Sequence, residues 1–344
     1  MRTLPDLTRR REELQEASAF IEYTRMLARR GQVDDLPDTP PLRKIKAAVA
    51  MADHAALRNA ATEFVRLVDQ GTVIGQMAAG WLPAPPFVPV VAPDVDPTGT
   101  FVGGGAPIPA TTLPITSLTT EIAKLATIFP FDQRTLASPD PRARRLFETS
   151  FVNWLRVLED REFLSATAAI PGTRPAGILS AAPELGGGSP SSLATDLAAL
   201  YAYVSGGHPL APYFIASSRA ALHLTLLEGG AEFPDAKITG GSIGGVPLIT
   251  ADAAANKIIL VDAARLVVVD ELLDVAASTL AAIQMDDAPT NSAVTGLGAA
   301  LVSGWQTNSV FVRAVRYLWW ALTTADAVAF TEIAGLPTTP ARAA

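Results

Sequence analysis

Residues 67 to 123 contain neither lysine nor arginine, and Trp81 to Ile115 within them holds nine prolines. Proline fixes φ and lacks a backbone donor, so this density forbids a helix and spoils a central strand. The segment also differs from a disordered linker. It carries Trp81, Leu82, Phe87, Val88, Val90, Val91, Phe101, Val102 and Ile108, with few charges to keep it solvated. A structureless stretch of this length is uncommon inside a compact domain. The expectation is an extended arm whose apolar groups are covered by another copy of the chain. On composition alone, a proline-rich linker between two enzyme domains is the alternative.

The remaining composition narrows the class. The 344 residues suffice for two domains or one large elongated one, and 49% of them are apolar. There is no cysteine, which excludes a disulfide framework and thiolate metal sites and suits a reducing cytoplasm. Met1 to Arg11 is charged and lacks an apolar run, so no secretory signal is expected. The most apolar stretch, Ile258 to Ile283, is interrupted by Asp262, Arg265, Asp270, Glu271 and Asp274, which argues against a membrane span.

Charge is unevenly spread. Residues 1 to 46 carry ten basic and eight acidic groups, about +2; the rest carries 17 and 26, or −9. An acidic body disfavours tight nucleic-acid binding, which relies on many Lys and Arg contacts to phosphate. Arginines outnumber lysines 22 to five, and arginine is the better residue for packed, bidentate interface contacts.

Periodicity predicts helices over Arg9–Arg30, Leu42 to about Val68, Asp140–Ala166, Leu193–Ser205 and Arg219–Glu228. The third is the clearest. Asp140–Pro141 supplies an N-cap and first-turn pair, and Leu146, Phe147, Phe151, Trp154, Leu155 and Leu158 recur at helical spacing. The charged residues Arg142 to Arg161, Arg156 and Glu159 among them, are assigned to its other surface. At ~1.5 Å per residue this helix is roughly 40 Å long. Thr116–Ile128 is β-prone. Strands are expected at Tyr213–Ala216, Val246–Ile249, Ile258–Val261, Leu266–Val269, Val310–Trp320 and Ala327–Ile333, with Gly240–Gly245 as a turn. Helices and strands mix without regular alternation, an α+β pattern.

Several strings then fall in order: Phe101-Val-Gly-Gly-Gly-Ala-Pro-Ile-Pro109, the long helix ending in Leu158–Leu164, Pro171–Leu179, Gly240–Ile249, Gln284–Thr290, Gly304–Ser309, Val312–Arg316 and Ala327–Phe330. Together, over roughly residues 42 to 335, they resemble the major capsid proteins of tailed double-stranded DNA phages, the Hong Kong ninety-seven type, especially prophage-encoded members. The resemblance implies an N-terminal helical arm (1–80) and an extended loop (81–120) reaching over a neighbour. It implies a peripheral domain (121–184 and 266–325) with the long helix as its spine. An axial domain (185–265 and 326–336) and a tail (337–344) complete the scheme. It further implies a non-enzymatic subunit without cofactor that self-assembles as hexamers and pentamers into an icosahedral head around double-stranded DNA. Scaffolding and portal proteins would be partners, the DNA would be held by weak non-specific contact, and assembly would precede virion release in a bacterial cytoplasm. An encapsulin-like compartment shell is the alternative within this fold. A cytoplasmic hydrolase with a proline-rich lid is the alternative outside it.

Two departures matter. Relatives often carry a glutamate before the arm glycine, where Gly103–Gly105 stand here. Some relatives weld their shells through a lysine–asparagine bond, but no lysine occurs between Lys46 and Lys124, so no such crosslink is expected from this arm. Residues 1 to about 40 are expected to form a short internal assembly arm.

The candidate inter-subunit residues are Trp81, Phe87, Phe101, Pro107 and Pro109 in the arm, and Asp286 or Asp287 paired with Arg313 or Arg316. The aspartates are read as ion-pair partners rather than metal ligands, because adjacent residues on a strand point to opposite faces. His54, His208 and His223 are read as structural, with no nucleophile motif beside them. The Gly240–Gly245 run lacks the lysine of a phosphate loop.

Overall fold

The computed structural model describes residues 68, 70–93, 101–102, 115–132, 141–189, 191–227, 232–278, 281–284 and 301–334. They fall into two compact units. The smaller holds residues 124–156 and 271–317, with 68 and 70; the larger holds 71–123, 157–270 and 318–334. The expected helices over 9–30 and 42–68 lie outside the described residues, apart from Val68 itself.

The larger unit is built on a six-stranded sheet. Its strands are β5 (Pro212–Ala216), β6 (Ala236–Lys237), β7 (Gly240–Ile243), β8 (Val246–Thr250), β9 (Lys257–Asp262) and β14 (Val328–Glu332), in the order β14-β9-β5-β8-β7-β6. Only β5–β8 is parallel; β14–β9, β9–β5, β8–β7 and β7–β6 are antiparallel. Both faces are covered, which is why Ile258-Ile-Leu-Val261 is an unbroken apolar run rather than an alternating one. Ile258 and Leu260 point into one core with Phe214, Ala216 and Leu248, while Ile259 and Val261 point into the other with Ile215 and Ile249.

The first of these cores is closed by two helices. Helix α3 (Leu193–Tyr203) contributes Leu193, Leu197 and Leu200, spaced four and three apart on one face. Helix α4 (Ser218–Leu226) contributes Ala220, Ala221 and Leu224, and its N-cap Ser217 accepts a hydrogen bond from the Ala220 amide at 3.1 Å. The opposite core is closed by the short helix α1 (Val73–Gln76) and by Phe163, Leu164, Ile178 and Leu179. Asp160 accepts from the Val73 amide at 2.8 Å, binding α1 to the end of the long helix.

The Gly240–Gly245 turn is half correct. Gly240–Ile243 is a strand, and only Gly244 and Gly245 turn, with φ of +58° and +86°. Positive φ at both positions fits a two-residue hairpin, and glycine adopts it without Cβ strain. The expected strand Leu266–Val269 continues to Ser278.

A second, four-stranded sheet has the order β1-β10-β13-β4, from Leu82–Pro83, Leu266–Ser278, Ser309–Leu322 and Ala123–Asp132. Adjacent residues again divide between faces. Leu266, Val268, Leu318 and Trp320 join the core around Phe163, and Val267, Val269 and Trp319 form a third cluster. Trp320 meets the Phe163 ring edge-on at 5.4 Å between centroids and donates to the Ala176 carbonyl at 2.8 Å. β11 (Ala282–Gln284) and β12 (Leu301–Ser303) make a small antiparallel pair.

The long helix α2 (Pro141–Phe163) begins at the expected proline, with Asp140 outside the described residues. Of the apolar face read from the sequence, Leu155 is buried, Leu158 half-buried and Trp154 exposed, while the side chains of Leu146, Phe147 and Phe151 lie outside those described. Leu155, Glu159 and Phe163 are buried, whereas Trp154 is exposed and Val157 more so. Glu159 was assigned to the outer surface, yet it is only 1% exposed. Its inward turn follows from Phe163, whose place in the core fixes which residues one and two turns earlier face inward. Trp154 is not idle: its ring sits edge-on to Phe129 of β4 at 4.4 Å.

Candidate assembly surfaces

The arm starts from a fastened base. Trp81 donates its indole N–H to the Ile74 carbonyl at 3.0 Å and packs against the unit's own core. It thus anchors the arm to its own unit. β1 follows, pairing in parallel with β10 through Leu82–Val267 and Pro83–Val268, and the Ala84 amide donates to Val268 at 2.9 Å. β2 (Pro89–Pro93) then pairs antiparallel with β3 (Ile115–Thr119), so the proline-rich segment is a hairpin at its root. Prolines 89 and 93 fit because a two-stranded ladder has edges that need no donor.

Thr120 closes this root and is fully buried. Its hydroxyl accepts from the Val88 amide at 2.9 Å and lies within donating distance of the Pro85 and Val88 carbonyls, at 2.8 and 2.9 Å. Its backbone carbonyl accepts from the Phe87 amide at 3.1 Å. Phe87 sits at φ +60°, an uncommon conformation for a residue with a Cβ. Nothing in the sequence singles out Thr120 for this role, because a lone threonine among several carries no signal. Thr120→Val is expected to cost about 1–3 kcal/mol locally by leaving the Val88 amide without its acceptor. Faster hydrogen exchange at Val88, with the melting of the six-stranded sheet unchanged, is the expected readout.

Above this root the surface is apolar and open. Phe87 is 68% exposed, Val88 is exposed, and Phe101 has no covering at all. Pro107 and Pro109 lie outside the described residues. Solitary exposed apolar residues are ordinary, whereas here several fall on one segment.

Arg313 on β13 pairs within the chain with Asp274 on β10 at 2.8 Å; Asp286 and Asp287, its expected partners across a subunit contact, lie outside the described residues. Neighbouring strands bring Arg313 and Asp274 together across the ladder, a register not legible in the sequence. Arg316 is 4% exposed and so belongs to the interior rather than to a surface. Arg313→Ala is expected to change unfolding free energy by less than ~1 kcal/mol, since both partners are about half exposed. Arg316→Ala is expected to cost more than about 2 kcal/mol, because it vacates a packed site. Parallel urea titrations of the two variants separate these roles.

A catalytic reading gains nothing from the geometry. Gly240-Gly-Ser-Ile-Gly244 spells G-x-S-x-G, a nucleophile string that the reading of the histidines takes to be absent from the chain. A nucleophile of that motif sits on a sharp strand-to-helix turn, whereas Ser242 lies within β7, opposite Pro247. His223 lies on α4 and His208 follows the 3-10 turn Val204–Gly207; His54 is outside the described residues. Among the described residues no group of three His, Asp or Glu could hold a metal ion, and no helix is long and apolar enough to cross a membrane.

No protein-family model matches the chain. In sequence it is 31% identical over 286 residues to the capsid polyprotein of Pseudomonas phage PAJU2, a match covering 78% of this chain. The chain spans less than half, 43%, of that relative's length. In structure it is similar to a solved chain from Gordonia phage Cozz (TM-score 0.53, 14% identity, 76% of this chain and 86% of that one). A chain from Mycobacterium phage Cain is similar over 80% of this chain and 92% of its own (TM-score 0.51, 14% identity). The fold is that of the tailed-phage capsid proteins of the Hong Kong ninety-seven type. The resemblance carried by the ordered strings is thereby borne out. Within the capsid fold, the Pro171–Leu179 string forms the loop after the long helix that receives the Trp320 indole. The Gly240–Ile249 string is the β7–β8 hairpin, and Gly304–Ser309 turns into β13.

Proposed function

We propose that the chain is a shell-forming subunit: it assembles with copies of itself into the hexamers and pentamers of an icosahedral phage head enclosing double-stranded DNA. The observation that carries this is the 31% identity to a phage capsid polyprotein, in a chain with the capsid fold. The exposed apolar arm adds a physical reason, since an obligate assembly covers such groups with large subunit contacts. Many modest contacts around a closed shell add up to a stable whole.

In this proposal the six-stranded sheet with α3 and α4 belongs to the axial domain (185–265 and 326–336). The long helix and the four-stranded sheet belong to the peripheral domain (121–184 and 266–325). The subunit does no chemistry of its own. Scaffolding and portal proteins act as assembly partners, DNA contacts are weak and non-specific, and assembly takes place in the bacterial cytoplasm before the protein resides in the virion.

Negative-stain electron microscopy of the expressed chain tests the proposal. Closed shells, tubes or capsomer rings are expected. A monodisperse monomer at every concentration, with or without co-expressed scaffold, would refute it.

A further inference from the structure

The chain that follows the long helix doubles back on itself as a laced hairpin. The Ile178 amide donates to the Phe163 carbonyl at 2.9 Å, Leu179 to Ser165 at 3.2 Å and Gly177 to Thr167 at 2.9 Å. Gly177 permits this close approach, since a Cβ there would overlap the Ser165 carbonyl oxygen. The Trp320 indole pins the return limb at Ala176. Ile170 and Arg174 close the tip through backbone bonds of 3.0 Å in each direction, and Gly172 turns it with φ +70°. A hairpin tied along its length, and rooted in the core by Phe163 and Ile178, holds its tip in a fixed place.

That tip is fastened to two different elements. Glu121, the residue after Thr120 at the arm root, accepts from the Gly172 amide at 3.1 Å. Two residues on, Arg174 pairs at 3.2 Å with Glu162 in the last turn of α2, and both side chains are 29% exposed. The 170–174 tip thus joins the arm root to the end of α2. The root otherwise rests on the two-residue ladder of β1 and on a small cluster, where Ala84, Val90 and Leu118 pack against Val267, Val269 and Trp319. Beside it, Leu118 and Glu121 share the walls of a groove of about 450 Å³ with Pro171, Arg174 and Trp319. Close packing would hold the root by shape alone; an unfilled groove leaves it room to tilt, so polar ties set its angle.

We propose that Glu121 and Arg174 are positioning residues, which act through the 170–174 tip to hold the proline-rich arm at one angle to the larger unit. The inference concerns the chain by itself and stands apart from whether copies assemble. Small angles matter here because the arm is long. Run out and back at ~3.3 Å per residue, the 21 residues between Pro93 and Ile115 extend at most about 35 Å beyond the root, so a tilt of about 10° moves the far end by about 6 Å.

Electron spin–spin distance measurement reads this angle. The chain has no native cysteine, so nitroxide labels attach only at Val102→Cys in the arm and Leu226→Cys on α4, both exposed sites of the larger unit. Labelled chain is diluted into a large excess of unlabelled chain, which leaves distances within one chain. A single narrow distribution is expected. Glu121→Ala and Arg174→Met, each added in turn, are expected to broaden it about twofold. Glu121→Gln keeps an acceptor for the Gly172 amide and is expected to stay near the starting width. Arg161→Ala is the control, because Arg161 also pairs with Glu162, at 3.5 Å, but from α2 itself. It is expected to change nothing. Hydrogen exchange over residues 170–174 is expected to run at least about fivefold faster in Glu121→Ala. A starting distribution as broad as the variants', an unchanged width in Glu121→Ala or Arg174→Met, or equal broadening by Arg161→Ala would overturn the inference. So would a melting midpoint lowered by more than about 5 °C in Glu121→Ala, which would make Glu121 a residue of the fold rather than of the arm's angle.

Discussion

Asp262→Ala is expected to lower the unfolding free energy by at least about 3 kcal/mol, the largest effect of any polar substitution in the larger unit. The carboxylate is fully buried at the end of β9. One oxygen accepts from the Ala211 amide at 2.9 Å and the Ala264 amide at 3.2 Å; the other accepts from the Ser205 hydroxyl at 2.8 Å and the Leu210 amide at 3.2 Å. Removing it strands four donors at once. These bonds hold the 204–211 loop, in which Ser205 has φ +50° and Leu210 is 79% exposed. Asp262→Asn keeps the size but turns an amide N–H₂ toward two of the donors, so it is expected to lose roughly half as much. Urea denaturation reads both. A loss below 1 kcal/mol for the alanine variant would show that the loop is held by something other than this carboxylate.

Gly188→Ala is expected to be comparably damaging, at about 3 kcal/mol or more, or to yield insoluble protein. Gly188 has φ +59°, a conformation that costs a residue with a Cβ. Space is the larger difficulty. A Cβ there would overlap the backbone carbonyl oxygen of Glu332 and lie 3.2 Å from the Ala334 nitrogen. The position cannot yield, because the Gly188 amide donates to Asp196 at 2.9 Å and its carbonyl accepts from Ala334 at 2.9 Å. This glycine fastens the end of β14 to the approach of α3. Unfolding midpoints of Gly188→Ala and Gly187→Ala make the comparison, since nothing lies within 4 Å of a Cβ at Gly187. Equal midpoints for the two would refute the steric argument.

The sequence was informative wherever one residue's neighbours in the chain decide its state. Pro141 opens the long helix, Ser217 caps α4, and Gly244–Gly245 turns a hairpin, each through local backbone chemistry. The apolar runs at 258–261 and 310–320 announced central strands. The ordered strings carried the capsid resemblance, and the proline-rich stretch without lysine or arginine holds the exposed apolar side chains of Phe87, Val88 and Phe101. What the chain alone left open were the choices made by residues far apart in it. Arg313 meets Asp274 within the chain because strand register, set by the whole sheet, selects that partner. Glu159 turns inward because Phe163 must, and Trp81 binds its own unit because Ile74 offers a carbonyl there. Asp262, Thr120 and Gly188 carry no local signature at all. Their weight comes from donors, carbonyls and space supplied by segments tens of residues away, which only the folded backbone brings within 3 Å or so.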